Sequence, residues 1–103
     1  MPYFALMYEV VEDFVNKRTP FRPAHLQEVR DAHQRGELVM AGALAEPAEA
    51  LLVFRVADRS VVEKFATNDP YVKSGLVKNW RVRPWTVVVG QDPSETPPGL
   101  PNP

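Results

Sequence analysis

Two short segments, Tyr3-Phe4-Ala5-Leu6-Met7-Tyr8-Glu9-Val10 and Ala50-Leu51-Leu52-Val53-Phe54-Arg55-Val56, are apolar at odd and even positions alike. Strand side chains alternate between two faces, so segments of this kind fit strands that are covered on both. The chain has 103 residues, enough for one domain with few elements available as cover.

The elements can be read in order. Glu12 to Thr19 is a polar connection. A period of 3.6 residues then runs from Pro20 to Arg35, with Thr19 placed to cap the helix and Gly36 placed to stop it. Its early prolines are tolerable because first-turn N–H groups have no intrahelical acceptor. Leu38 to Leu44 is a second strand, a turn around Pro47 follows, and Ala50 to Val56 is the third. Ser60 opens a short helix as part of a capping box with Glu63, running to about Thr67 and closed by Asn68-Asp69-Pro70. After Gly75 comes a last strand, Val77 to Val89, in which Pro84 marks an edge or a bulge.

This β-α-β-β-α-β order predicts an α+β, ferredoxin-like fold: a four-stranded antiparallel sheet with two helices on one face. No element remains for the other face. The economical cover is a second copy of the same sheet, giving a homodimer of the dimeric α/β barrel kind. Five of the 11 prolines fall in the last fourteen residues, so residues 90–103 read as an extended Pro-rich tail after a domain at 1–89.

Composition narrows the function. Hydrophobic residues at 45% and charged residues at 24% describe an ordinary globular protein. Lys+Arg 12 against Asp+Glu 13 gives a net charge of −1, which would attract neither nucleic acid nor an anionic membrane. The absence of cysteine removes disulfides, thiolate nucleophiles and thiolate metal sites. The longest apolar run, Tyr3 to Tyr8, is far short of the roughly 18 residues of a membrane span. Met-Pro-Tyr-Phe opens the chain without a basic segment or cleavage site, so a cytoplasmic protein is expected. The five glycines form neither a dinucleotide fingerprint nor a Walker loop, and no serine sits in a nucleophile elbow.

On the first helix, a step of 100° per residue puts Arg22, His25, Val29, Ala32 and His33 on the stripe facing the sheet. Both histidines of the chain and one arginine are therefore expected at or near a buried surface, where each needs a hydrogen-bond partner or a wet cavity. The functional reading is a polar pocket between helix and sheet. The alternative is a pair of satisfied structural histidines. Eight residues of helix rise separate His25 from His33 by about 12 Å, too far for one metal ion, and no metal or cofactor is expected. Asp69 has a local reading as a turn residue before proline. Tyr71 and Trp80 could wall a pocket or belong to the core. Lys73, Lys78, Arg81 and Arg83 suit a solvated face better than an anion site.

Arg22-Pro23-Ala24-His25-Leu26, His33-Gln34-Arg35-Gly36-Glu37-Leu38, Ala41-Gly42-Ala43-Leu44 and Asp69-Pro70-Tyr71-Val72-x-x-Gly75-Leu76 together resemble the YciI-like (YCII) family, in order and spacing from about Tyr3 to Trp85. The resemblance implies a ferredoxin-like dimeric α/β barrel and an active site built on a His–Asp pair, which maps onto His25 and Asp69. Relatives in that family include a dehydrochlorinase of a chlorinated hydroxyquinol, and the fold is shared with muconolactone isomerases. The segment Ala45 to Glu49 is shorter here than in some members, so no relative's substrate transfers.

The expected function is cofactor-independent acid–base chemistry, a lyase or isomerase reaction on a small cyclic or aromatic metabolite. His25 would move the proton, Asp69 would orient it, Arg22 would hold an anionic oxygen of the substrate, and His33 would lie further out. The rival expectation is a non-catalytic dimeric module binding a small ligand or a partner protein in the same pocket.

Overall fold

The computed structural model of the chain describes residues 1–46 and 48–90. Four strands, β1 (Tyr3–Val10), β2 (Leu38–Leu44), β3 (Glu49–Arg55) and β4 (Val77–Trp85), form one antiparallel sheet in the order β2-β3-β1-β4. The helices are α1 (Phe14–Lys17), α2 (Arg22–Gln34), α3 (Arg59–Asn68) and α4 (Pro70–Lys73). The split β-α-β of ferredoxin-like folds is therefore present, with two four-residue helices added to the connections.

Those additions correct the expected boundaries. The polar connection contains α1, and α2 starts at Arg22 rather than Pro20, because Phe14 is needed as a core contact and turns inward. Thr19 does not cap α2: its hydroxyl donates to the Asn16 carbonyl, and the N-cap position is Phe21 with no side-chain cap bond. Gly36 does end the helix, at φ +81°, where a side chain would be strained. Asp58, not Ser60, caps α3, accepting from the Ser60 amide at 2.9 Å. β4 stops at Trp85 rather than Val89. Pro84 lies on an edge strand, where a missing N–H is tolerated, and the bulge in the β1–β4 pair falls at Glu9/Val10 instead. Of the expected tail, residues 91–103 lie outside the described residues.

The core fills one side of the sheet. Phe4, Leu6 and Tyr8 of β1, Leu52 and Phe54 of β3, and Val82 of β4 meet Val62, Phe65 and Ala66 of α3. Each large apolar side chain buried this way contributes about 1.5–3 kcal/mol. The packing is uneven. α2 fully buries only Ala32, while β2 offers it just Ala41 and Ala43 after a register shift between Leu38 and Met40. That bulge re-aims the strand, and small side chains on one wall with half-buried ones on the other leave a gap. The opposite sheet face carries Tyr3, Met7, Leu51 and Val53, as the doubly apolar strands require. Met40, Leu44 and Trp85 on that face are exposed at 64%, 40% and 45%.

Candidate active site

The gap between α2 and β2 is a cavity of about 310 Å³. The Asn68-Asp69-Pro70 junction beside it decides its chemistry. A residue before proline avoids helical geometry, so Asp69 is extended at φ −67°, ψ 126°, and breaks α3 from α4. Its side chain turns back and accepts from the Tyr71 amide at 2.9 Å, the local turn role that its sequence context suggests. The same carboxylate has two further partners. His25 Nδ1 lies 2.8 Å from Oδ1, and the Tyr8 hydroxyl donates to Oδ2 at 2.7 Å.

Asp69 is fully buried, while the His25 side chain retains 13% exposure on the cavity wall. A buried carboxylate must be saturated with donors, and this one faces an amide N–H and a phenol O–H. An ionised Asp69 therefore assigns the proton of His25 to Nδ1 and leaves Nε2 as an acceptor. The ring stacks on Tyr71 at 3.8 Å between centroids and 15° between planes, and Phe14 meets Tyr71 edge-on at 5.1 Å. Hydrogen bond and stack together fix the orientation of the imidazole.

Burial pushes the Tyr8 hydroxyl far up, helped by the charge of Asp69 and by their hydrogen bond, so it stays a donor. Burial also raises the Tyr71 hydroxyl, and the guanidinium groups of Arg18 and Arg22 pull it partly back. Glu28, one turn beyond His25, is pushed up to about 7, first by burial and then by the charge of Asp69, with Lys73 and Arg35 opposing.

The family model described as the YCII-related domain matches residues 1–86. The chain belongs to the YCII family. No curated protein matches the chain. Among solved structures, the YCII domain is similar to 5-chloro-2-hydroxyhydroquinone dehydrochlorinase from Burkholderia phenoliruptrix, determined in complex with 2,5-dihydroxybenzoquinone. The two share 18% identity over 84% of this chain and 95% of that one, with a TM-score of 0.72. At that identity the likeness concerns the fold.

Of the residues expected from sequence, the YCII domain brings His25, Asp69, Tyr71 and Arg22 to one place. It does not bring His33 or Trp80 there. The buried stripe of α2 centres on His25 and Ala32, with Glu28 and Val29 half-buried beside them, so His33 falls past its edge and is exposed. His33 lines a separate surface concavity with Gln27 and Met40. Trp80 stands opposite Tyr8 on β4 and packs against the core away from the cavity.

Sequence reading missed Tyr8, Phe14, Arg18 and Glu28. The one available signal was Tyr8: a phenol in a doubly covered strand needs a partner for its hydroxyl. Among the described residues, no group of three or more histidines, aspartates and glutamates gathers to hold a metal ion. No described helix is long and apolar enough to cross a membrane.

Proposed function

We propose that this YCII domain is an acid–base enzyme, a lyase or isomerase acting on a small cyclic or aromatic molecule without a cofactor. The observation that carries the reading is the 2.8 Å contact between His25 Nδ1, on the cavity wall, and the fully buried carboxylate of Asp69. Nε2 of His25 takes a proton from a carbon acid or gives one to a leaving group. Asp69 holds the Nδ1–H tautomer and stabilises the imidazolium as it forms. Tyr71 stacks behind the ring and keeps its plane fixed. The similar dehydrochlorinase acts on a ring of the size that such a cavity admits, which supports the substrate class but not a particular substrate.

The domain acts, on this reading, as a homodimer. Met40 and Leu44 at one edge of the open sheet face and Trp85 at the other are exposed, with Met7, Leu51 and Val53 between them, and a second sheet is the natural cover for that face.

Thermal-shift screening of small cyclic and aromatic metabolites identifies a ligand, since binding to the native state alone raises apparent stability. With a turned-over compound in hand, His25→Ala and Asp69→Asn each abolish turnover to a similar degree, and the double variant loses little more. Asn keeps an acceptor oxygen for His25 and the Tyr71 amide, and its NH2 can donate to the Tyr8 oxygen in place of the bond that Tyr8 donated, so Asp69→Asn stays folded at a cost of about 1–2 kcal/mol. Full turnover in either single variant, or strictly additive losses, overturns the catalytic pair. Binding without turnover of any compound leaves a ligand-binding module.

A further inference from the structure

The cavity holds a second arginine that proton transfer at His25 does not use. Arg18 precedes Arg22 by four residues, and the Arg22 amide donates to the Arg18 carbonyl at 2.9 Å. One helical turn therefore separates them, and their side chains lie on the same face. Both line the cavity beside His25. The Arg18 guanidinium sits 5.6 Å over the ring of Phe14, a cation–π contact that holds its stem at the wall. Tyr71 lines the same cavity, and both guanidinium groups lower the pKa of its hydroxyl against the effect of burial.

Among the described residues, neither guanidinium has a carboxylate within ion-pair distance. Glu49 contributes to the rim, but Ala50 and Leu52 are its neighbours that point toward the helices. By strand alternation, its own side chain starts on the opposite face of the sheet. Asp69 is enclosed behind His25 with its three donors. The cavity thus presents two uncompensated cations at one end and apolar side chains, Leu26 and Val29 against Ala41 and Ala43, along its length.

We propose that the ligand of this cavity is a single-ring carboxylate, its carboxylate clamped by Arg18 and Arg22 and its ring lying between α2 and β2 within reach of His25. A planar guanidinium fork takes a planar carboxylate through two parallel N–H···O bonds, and a carboxylate is more compact than a phosphate on the same ring. A volume of about 310 Å³ is at the small end for ligand cavities and suits one ring. The proposal deepens the acid–base reading of the same site, but it is tested by binding alone.

The test titrates the full chain with benzoate, with its neutral counterpart benzamide and with phenyl phosphate, read by NMR shifts and calorimetry. Benzoate binds at least about tenfold tighter than benzamide, as a charge-assisted pair requires, and its affinity falls with added salt. Arg18→Gln and Arg22→Gln each weaken benzoate about tenfold and leave benzamide unchanged, while Arg22→Lys restores part of the loss. Benzoate binding requires no proton transfer, so a failure of the acid–base reading leaves this test standing and is seen separately. Equal affinity for benzoate and benzamide overturns the clamp. So does parental benzoate binding by the double Gln variant with an unchanged unfolding midpoint. Tighter binding of phenyl phosphate than of benzoate overturns the carboxylate assignment.

Discussion

Tyr8→Phe isolates the one hydrogen bond of the site that sequence reading did not anticipate. The substitution keeps the ring, which is 1% exposed in the core, and removes only the hydroxyl that donates to Asp69 Oδ2 at 2.7 Å. The carboxylate is fully buried, so water cannot replace the lost donor without opening the packing of α4 against the sheet. A hydrogen bond to a charged buried group contributes about 1.5–3 kcal/mol. With roughly 4–8 °C per kcal/mol for a domain of this size, a loss of ~2 kcal/mol lowers the unfolding midpoint by about 10 °C. Calorimetry measures that shift. NMR adds a local readout: the His25 Nδ1–H exchanges faster with solvent, because a carboxylate anchored on one oxygen holds the imidazole less firmly. Tyr71→Phe is the control, since Tyr71 contacts Asp69 through its amide and keeps that bond. A midpoint within about 2 °C of the parent, with unchanged exchange at His25, would refute the claim that Tyr8 holds the carboxylate.

Glu28 supplies a pH prediction. Its folded pKa of about 7 lies above the ordinary carboxylate value of 4.5. The folded state therefore binds more protons between those values, and stability falls as pH rises from about 4.5 to 7. Because Glu28 is only partly buried, the loss is discounted to the order of 1 kcal/mol. Denaturant titrations at pH 5 and pH 8 show the difference, and Glu28→Gln removes it; an identical pH dependence in the variant would place the effect elsewhere. Light scattering at micromolar concentration gives twice the 11.6 kDa chain mass for the parent, and Met40→Glu on the open sheet face shifts it to the monomer. A parent that runs only at 11.6 kDa ends the dimer proposal.

The strand and helix order was legible because it depends on periodicity and on breakers that act within a few residues. Doubly apolar β1 and β3, the 3.6-residue period before Gly36, and the Asn-Asp-Pro break all landed where the structure has them. Local patterning also put His25 on the inward face of α2. What it could not do was centre that face: Ala32 and half-buried Glu28 turn the stripe away from His33, a matter of how α2 sits on the sheet. The contact of His25 with Asp69 spans 44 residues of chain and that of Tyr8 with Asp69 spans 61. No pattern within α2 or β1 encodes either one. The family resemblance suggested the first pair; the second follows only from the register that sets Tyr8 under the α3–α4 break. The cavity has the same origin, since Ala41 and Ala43 become a wall only because the β2 bulge turns them toward α2. Which segments are strands and helices follows from the local order of residues, because backbone preference and apolar period act over a few positions. Tertiary packing alone decided which polar groups meet, because a buried carboxylate takes its donors from whatever elements the fold brings within about 3 Å.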